Sequence, residues 1–90
     1  MKITIYGSNL CPKTLHTIES ITSLGVMPKF INITGSINLL MDFVKLRDTN
    51  PLYDDIRGTE KIGFPTFELE DGTLTRDVDK VLEMIKAEMK

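Results

Sequence analysis

The chain has a single cysteine among its 90 residues. One thiol cannot close an internal disulfide, so the fold must hold itself together by burial alone, and a cytoplasmic setting fits that usage. A dominant charge is lacking too: eleven Lys plus Arg stand against thirteen Asp plus Glu, for a net charge of −2. Without an extended basic run there is no electrostatic footprint for a phosphate backbone, and nucleic acid is not an expected partner. The longest uninterrupted apolar run, Leu39-Leu40-Met41, falls far short of the roughly 20 residues of a bilayer span. The N-terminus enters a strand pattern with no basic, apolar and cleavage-site series, so neither membrane insertion nor export is expected. Asp54, Asp55, Asp77 and Asp79 lack the glycine-punctuated spacing of a calcium loop, and one Cys with one His, His16, cannot build a tetrahedral zinc site within one chain. No metal is expected. What is present, 41% hydrophobic and 27% charged residues, excludes disorder and suits one domain over residues 1–90, because a second core would need roughly 50 residues more.

Period-2 alternation of Ile3 and Ile5, with Tyr6 beside them, predicts a strand over Lys2 to Gly7. Leu15, Ile18, Ile21 and Leu24 then recur every three residues with Gly25 just beyond, which predicts a helix from Pro12 to Leu24. Met27 to Thr34 reads as a second strand. Ile37, Leu40, Phe43, Val44 and Arg47 mark one face of a second helix that must end before Asn50-Pro51. From Pro51 to Gly63 no period is sustained, and Tyr53, Asp54, Asp55, Arg57, Gly58 and Lys61 read as a polar loop with room for one short helical turn. Thr66 to Leu69 and Leu74 flank Asp71-Gly72, a hairpin signal. Behind Asp77 as N-cap, the stripe Val78, Val81, Leu82, Ile85 and Met89 predicts a closing helix. The order is a βαβ unit followed by a ββα unit: an α/β fold with a four-stranded mixed sheet flanked by helices on both faces.

Cys11 stands where the first strand gives way to the first helix, and Pro12 carries the fixed dihedral favoured at a first helical position. The thiol therefore occupies the N-cap, where the free N–H groups of Lys13 and Thr14 and the positive end of the helix dipole favour a thiolate. A depressed Cys11 pKa is expected. Burial of a lone cysteine as a small apolar side chain is the plain alternative, and the strand-end location, where open α/β folds bind ligands, weighs against it. His16, five residues on, is carried by roughly 500° of helical turn to the opposite side of the helix, so a solvent-facing role is expected for it. Gly63-Phe64-Pro65-Thr66 runs straight into the third strand; on the residues alone, a trans proline closing a loop is favoured there.

Cys11-Pro12-Lys13-Thr14 at a helix start, Phe64-Pro65 before an antiparallel hairpin, and a closing helix together resemble the glutaredoxins of the thioredoxin-like superfamily, over essentially the whole chain. The resemblance implies the thioredoxin-like fold, a cis Phe64–Pro65 peptide beside the thiol, and a Cys11 thiolate that attacks disulfides with glutathione as co-substrate. It implies catalysis by Cys11 supported by Pro12, Lys13 and Thr14, with glutathione held by Phe64, Pro65, Arg76 and Asp77, and with Arg47, Arg57 and Lys61 as further cations near its charged ends. Partners would be glutathione and disulfide-bonded or glutathionylated proteins, and a monomer is expected. The departures bear on mechanism. Thr14 stands where such proteins carry a second cysteine, so a dithiol cycle is excluded and a monothiol mechanism is expected. The Cys-Gly-Phe-Ser of cluster-binding relatives is replaced, so an iron–sulfur cluster is not favoured. Ser8 replaces the usual lysine, and Thr75-Arg76 the usual Gly-Gly. The Thr14 hydroxyl either donates to the Cys11 sulfur or caps the helix turn behind it. Two alternatives compete: an arsenate-reductase-like or Spx-like enzyme, similar only in the first half, and a non-catalytic module that binds through the Phe64-Pro65 edge.

Overall fold

The computed structural model describes residues 1–89. Four strands, β1 (Thr4–Gly7), β2 (Lys29–Asn32), β3 (Thr66–Glu68) and β4 (Leu74–Thr75), form one sheet in the order β2-β1-β3-β4. β1 runs parallel to β2, antiparallel pairs join β1 to β3 and β3 to β4, and the sheet is mixed as expected. Three helices accompany it: α1 (Pro12–Ser23), α2 (Ile37–Thr49) and α3 (Val78–Glu88). None of the described helices is long and apolar enough to cross a membrane.

Alternation along the strands divides the interior into two cores. Ile3, Ile5 and Phe67 face one way and pack with Ile21 of α1 and Val81 and Ile85 of α3. Tyr6 and Ile31 face the other way, toward Ile33, Phe43 of α2, Tyr53 and Ile56. α1 and α3 therefore cover one face of the sheet and α2 the other.

Several expectations shift on contact with the fold. β2 is shorter than Met27 to Thr34, because Ile33–Gly35 turns into a 3₁₀ segment that carries the chain onto α2. In α1, Leu15 is exposed while Thr14 and Thr17 are buried; a three-residue repeat drifts by roughly 60° per step around a 3.6-residue helix, which leaves its first member at the edge of the face. In α2, Phe43 is buried, but Ile37 and Val44 are exposed at 68% and 45%. The inward face is Leu40, Phe43 and Leu46, and Ile37, Met41 and Val44 form a separate outward stripe. Met89 likewise lies outside the core. The largest correction concerns residues 51–63, read as a polar loop with room for one short helical turn. Pro51–Tyr53 does form a 3₁₀ turn, but Tyr53 and Ile56 are buried as half of the second core.

Candidate functional site

Ser8 begins the turn that presents Cys11. It is buried, its carbonyl accepts the Cys11 N–H at 3.0 Å, and its hydroxyl accepts the Leu10 N–H at 3.0 Å. The same hydroxyl lies 2.6 Å from that of Thr34. One residue on, Asn9 and Asn32 bind each other reciprocally, N–H to Oδ1 and Nδ2 to Oδ1, both at 3.2 Å. Gly7 pairs with Asn32 across β1 and β2, so this amide and hydroxyl cluster ties the turn to the end of the neighbouring strand.

Cys11 then occupies the N-cap of α1 with extended backbone (φ −101°, ψ 111°) and Pro12 in the first turn, as expected, although its sulfur makes no capping hydrogen bond. The thiol is half-buried. Partial burial raises its pKa; the Thr14 hydroxyl, the N–H groups of Thr14 and Lys13, and the Lys13 ammonium together outweigh that and bring it below the ordinary thiol value. These donors stand near the neutral sulfur without closing a bond to it, and they favour the thiolate because an anion accepts far more strongly than a thiol. Underneath, a Cβ on Gly7 would lie 2.6 Å from the Thr14 methyl and 2.7 Å from its hydroxyl. Glycine at the end of β1 is what lets α1 start so close to the sheet.

Opposite the thiol runs a cleft of about 470 Å³, lined by Cys11 and Lys13 on one side, by Asp55, Ile56, Glu60, Lys61, Ile62, Gly63 and Phe64 of the segment before β3 on the other, and by Arg76. The Phe64–Pro65 peptide is cis and Pro65 is buried. The Phe64 ring packs tilted against that of Phe43, with centroids 4.9 Å apart. Gly63, at φ 107°, sits where a Cβ would fall 2.8 Å from the Tyr53 ring. The Tyr53 hydroxyl bonds that of Thr66 at 2.8 Å, and Thr66 donates to the Gly63 carbonyl at 2.9 Å. Burial raises the Tyr53 pKa, partly offset by the Thr66 bond and the Arg76 charge.

The cations associated with this wall divide by role. Arg47 reaches across from α2 and donates to the carbonyls of Ile62 at 3.0 Å, Ile56 at 3.1 Å and Lys61 at 2.6 Å. Arg57 donates to the Arg47 carbonyl and the Asn50 carbonyl and pairs with Asp54 at 2.6 Å. Both are latches for residues 51–63, not free ligands for a tripeptide. Nothing in the local sequence signals this, because Arg47 serves carbonyls up to 15 residues away and Arg57 carbonyls up to 10 residues away. Arg76 pairs with Asp55, donates to the Leu52 carbonyl at 3.0 Å and lies 5.5 Å over the Tyr53 ring. It is held in place yet still lines the cleft. Asp77 caps α3 by accepting the Lys80 N–H at 3.1 Å, so its carboxylate serves the helix and does not line the Cys11 cleft. His16 lies apart, in a groove of about 440 Å³ between α1 and α3 that shares Lys13 and Arg76 with the cleft but is not lined by Cys11.

Chemically, this arrangement offers one activated, accessible thiol facing a cleft whose far wall is a backbone segment backed by aromatic rings. No protein-family model matches the chain. No solved structure matches it either. A Haemophilus influenzae protein described as uncharacterized is 26% identical over 77 residues, spanning 86% of this chain and 90% of that protein.

Proposed function

We propose that this chain is a glutaredoxin-like thiol–disulfide oxidoreductase of thioredoxin-like fold that works through Cys11 alone, with glutathione as co-substrate. The observation that carries the reading is the Cys11 thiol at a helix start, its pKa lowered by surrounding donors, open to a cleft walled by Phe64. The Cys11 thiolate attacks one sulfur of a glutathionylated protein or small disulfide; a mixed disulfide forms on Cys11 and the partner sulfur leaves as a thiolate. A glutathione thiolate then attacks that mixed disulfide, takes the bound half as a new disulfide and restores the Cys11 thiolate. Each cycle exchanges one disulfide and one thiolate for another disulfide and another thiolate and returns Cys11 unchanged, and the steps require no metal.

Thr14 cannot form a disulfide, so the second step needs an external thiol. The Phe64 backbone offers edge groups for an extended peptide in the manner of an added strand. Lys13 and Lys61 are the cations left to meet its carboxylates, with Arg76 beside them but already paired to Asp55, since Arg47 and Arg57 are committed to carbonyls. That commitment, with Ser8 buried against Thr34, favours a second reading, a binding module that forms a mixed disulfide without turnover.

Intact-mass measurement after incubation with oxidised glutathione, followed by reduced glutathione, tests the reading. Rapid addition of one glutathione that reduced glutathione reverses is expected, with none in Cys11→Ser. Failure of the wild-type chain to add glutathione would overturn it.

A further inference from the structure

The buried serine and threonine side chains are Ser8, Thr14, Thr17, Thr66 and Thr75. Ser8 bonds Thr34, Thr17 donates to the Lys13 carbonyl at 2.7 Å, Thr66 bonds Tyr53 and Gly63, and Thr75 accepts the Asp77 N–H at 3.2 Å. Thr14 is fully buried, and its hydroxyl has no partner. A buried polar atom without a partner is uncommon and calls for a reason.

Comparison with Thr17 supplies the first half of that reason. Within a helix a threonine satisfies its hydroxyl on the carbonyl four residues back, as Thr17 does. For Thr14 that carbonyl would belong to Leu10, which lies in the turn before α1 begins. The second half is position. Thr14 is the third residue of α1 and Cys11 is its N-cap, the pair of positions whose side chains reach toward each other's backbone in a capping box. Wedged over Gly7, with its methyl and hydroxyl close above that Cα, the β-branched side chain has little freedom to turn elsewhere.

We infer that Thr14 is a positioning residue whose hydroxyl is kept without a partner so that it can donate to the Cys11 sulfur whenever that sulfur is anionic. The inference rests on the reading of Cys11 as a nucleophile and deepens it. Because the neutral thiol is a weak acceptor, the bond strengthens only when charge develops, so it favours the sulfur both as attacking thiolate and as leaving group when the mixed disulfide is resolved. Among the groups that lower the Cys11 pKa against its partial burial, the Thr14 side chain is the largest. Thr14 thereby does for charge what it cannot do as a resolving thiol.

Alkylation of Cys11 by iodoacetamide as a function of pH, read by intact mass alongside thermal unfolding, tests this in the wild-type chain and in Thr14→Val, Thr14→Ala and Thr14→Ser. Thr14→Val keeps the shape, and Thr14→Ala removes the hydroxyl in a side chain that fits any neighbouring contact. Both should move the midpoint to higher pH and slow alkylation at neutral pH by about 3- to 10-fold, the size of one hydrogen bond, with the high-pH rate unchanged. Thr14→Val should unfold no earlier than wild type, and Thr14→Ser should restore the midpoint. A low wild-type midpoint that neither hydroxyl-free variant moves overturns the role of Thr14 and leaves the nucleophile standing. A wild-type midpoint at the free-thiol value of about 8.5 overturns both.

Discussion

One wall of the Cys11 cleft, the β1–α1 turn, is held by groups within a few residues of one another or directly across a parallel strand pair: Ser8 on Leu10 and Cys11, Asn9 on Asn32. The opposite wall, residues 51–63, has no regular structure beyond one 3₁₀ turn and is held from a distance, by Arg47 and Arg57 on backbone carbonyls and by the buried Tyr53. The first wall fixes where the thiol stands and how it ionises, while the second fixes what can lie against it. The thiol and the segment facing it are therefore built on separate supports, and each can be broken without the other.

Removing the aromatic anchor of the second wall has the largest expected effect. Tyr53→Ala takes a fully buried ring from between Phe43 and Gly63 and leaves Thr66 with one bond fewer. Urea denaturation should show a loss of about 3–5 kcal/mol; a loss below about 1 kcal/mol, the level of a surface change, would mean that Tyr53 does not anchor this wall. Arg47→Met keeps most of the aliphatic stem and removes the carbonyl contacts. Stability should fall by about 1–2 kcal/mol, and exchange with glutathionylated peptide should slow while the pH profile of Cys11 alkylation stays put. Movement of that profile would show the two walls to be coupled.

The expected asymmetry matches what the sequence disclosed. The Cys11 turn was legible because its determinants are local: a strand pattern ending at Gly7, Pro12 at a helix start, and a thiol at the N-cap. The parallel first pair and antiparallel last pair of the four-stranded mixed sheet followed from the same kind of signal, a helical crossover and an Asp71-Gly72 hairpin. Of residues 51–63 only the short turn was legible. Tyr53 and Ile56 are apolar side chains scattered in a polar stretch with no period, and what buries them is Phe43 and the end of β1, far away in the chain. Arg47 and Arg57 read as cations for a ligand's charged ends because a guanidinium on a distant carbonyl leaves no spacing to detect. In α2 the pattern held two apolar stripes, and only the docked sheet decides that Phe43 faces in and Val44 out. The orphaned Thr14 hydroxyl depends on Gly7, a contact visible only once β1 and α1 are placed together.

The smaller effects sharpen the first wall. Asn32→Ala removes the reciprocal bonds to Asn9 from the strand end. Chemical denaturation should give a loss of about 0.5–1.5 kcal/mol, and the variant should leave residues 51–63 as resistant to proteolysis as in the wild type; early cleavage there would contradict the separation. Smallest of all is the linkage between Cys11 ionisation and folding. Its pKa is lowered in the folded chain, so the unfolded chain holds the proton to higher pH and stability rises with pH between the depressed value and the free-thiol value of about 8.5. That contribution is present above the unfolded pKa and lost as pH falls through the folded one. Cys11→Ser should flatten the rise, and parallel curves for the two proteins would show that the donors around the sulfur do not stabilise its charge.

Catalytic exchange through one thiol is tested most directly by the steady-state release of glutathione from a glutathionylated peptide by reduced glutathione, with and without the protein. Turnover should scale with glutathione concentration, because Cys11 is the chain's single thiol, and should disappear in Cys11→Ser. A wild-type protein that takes up glutathione on Cys11 yet releases peptide no faster than the uncatalysed reaction would contradict it and leave a binding module in its place.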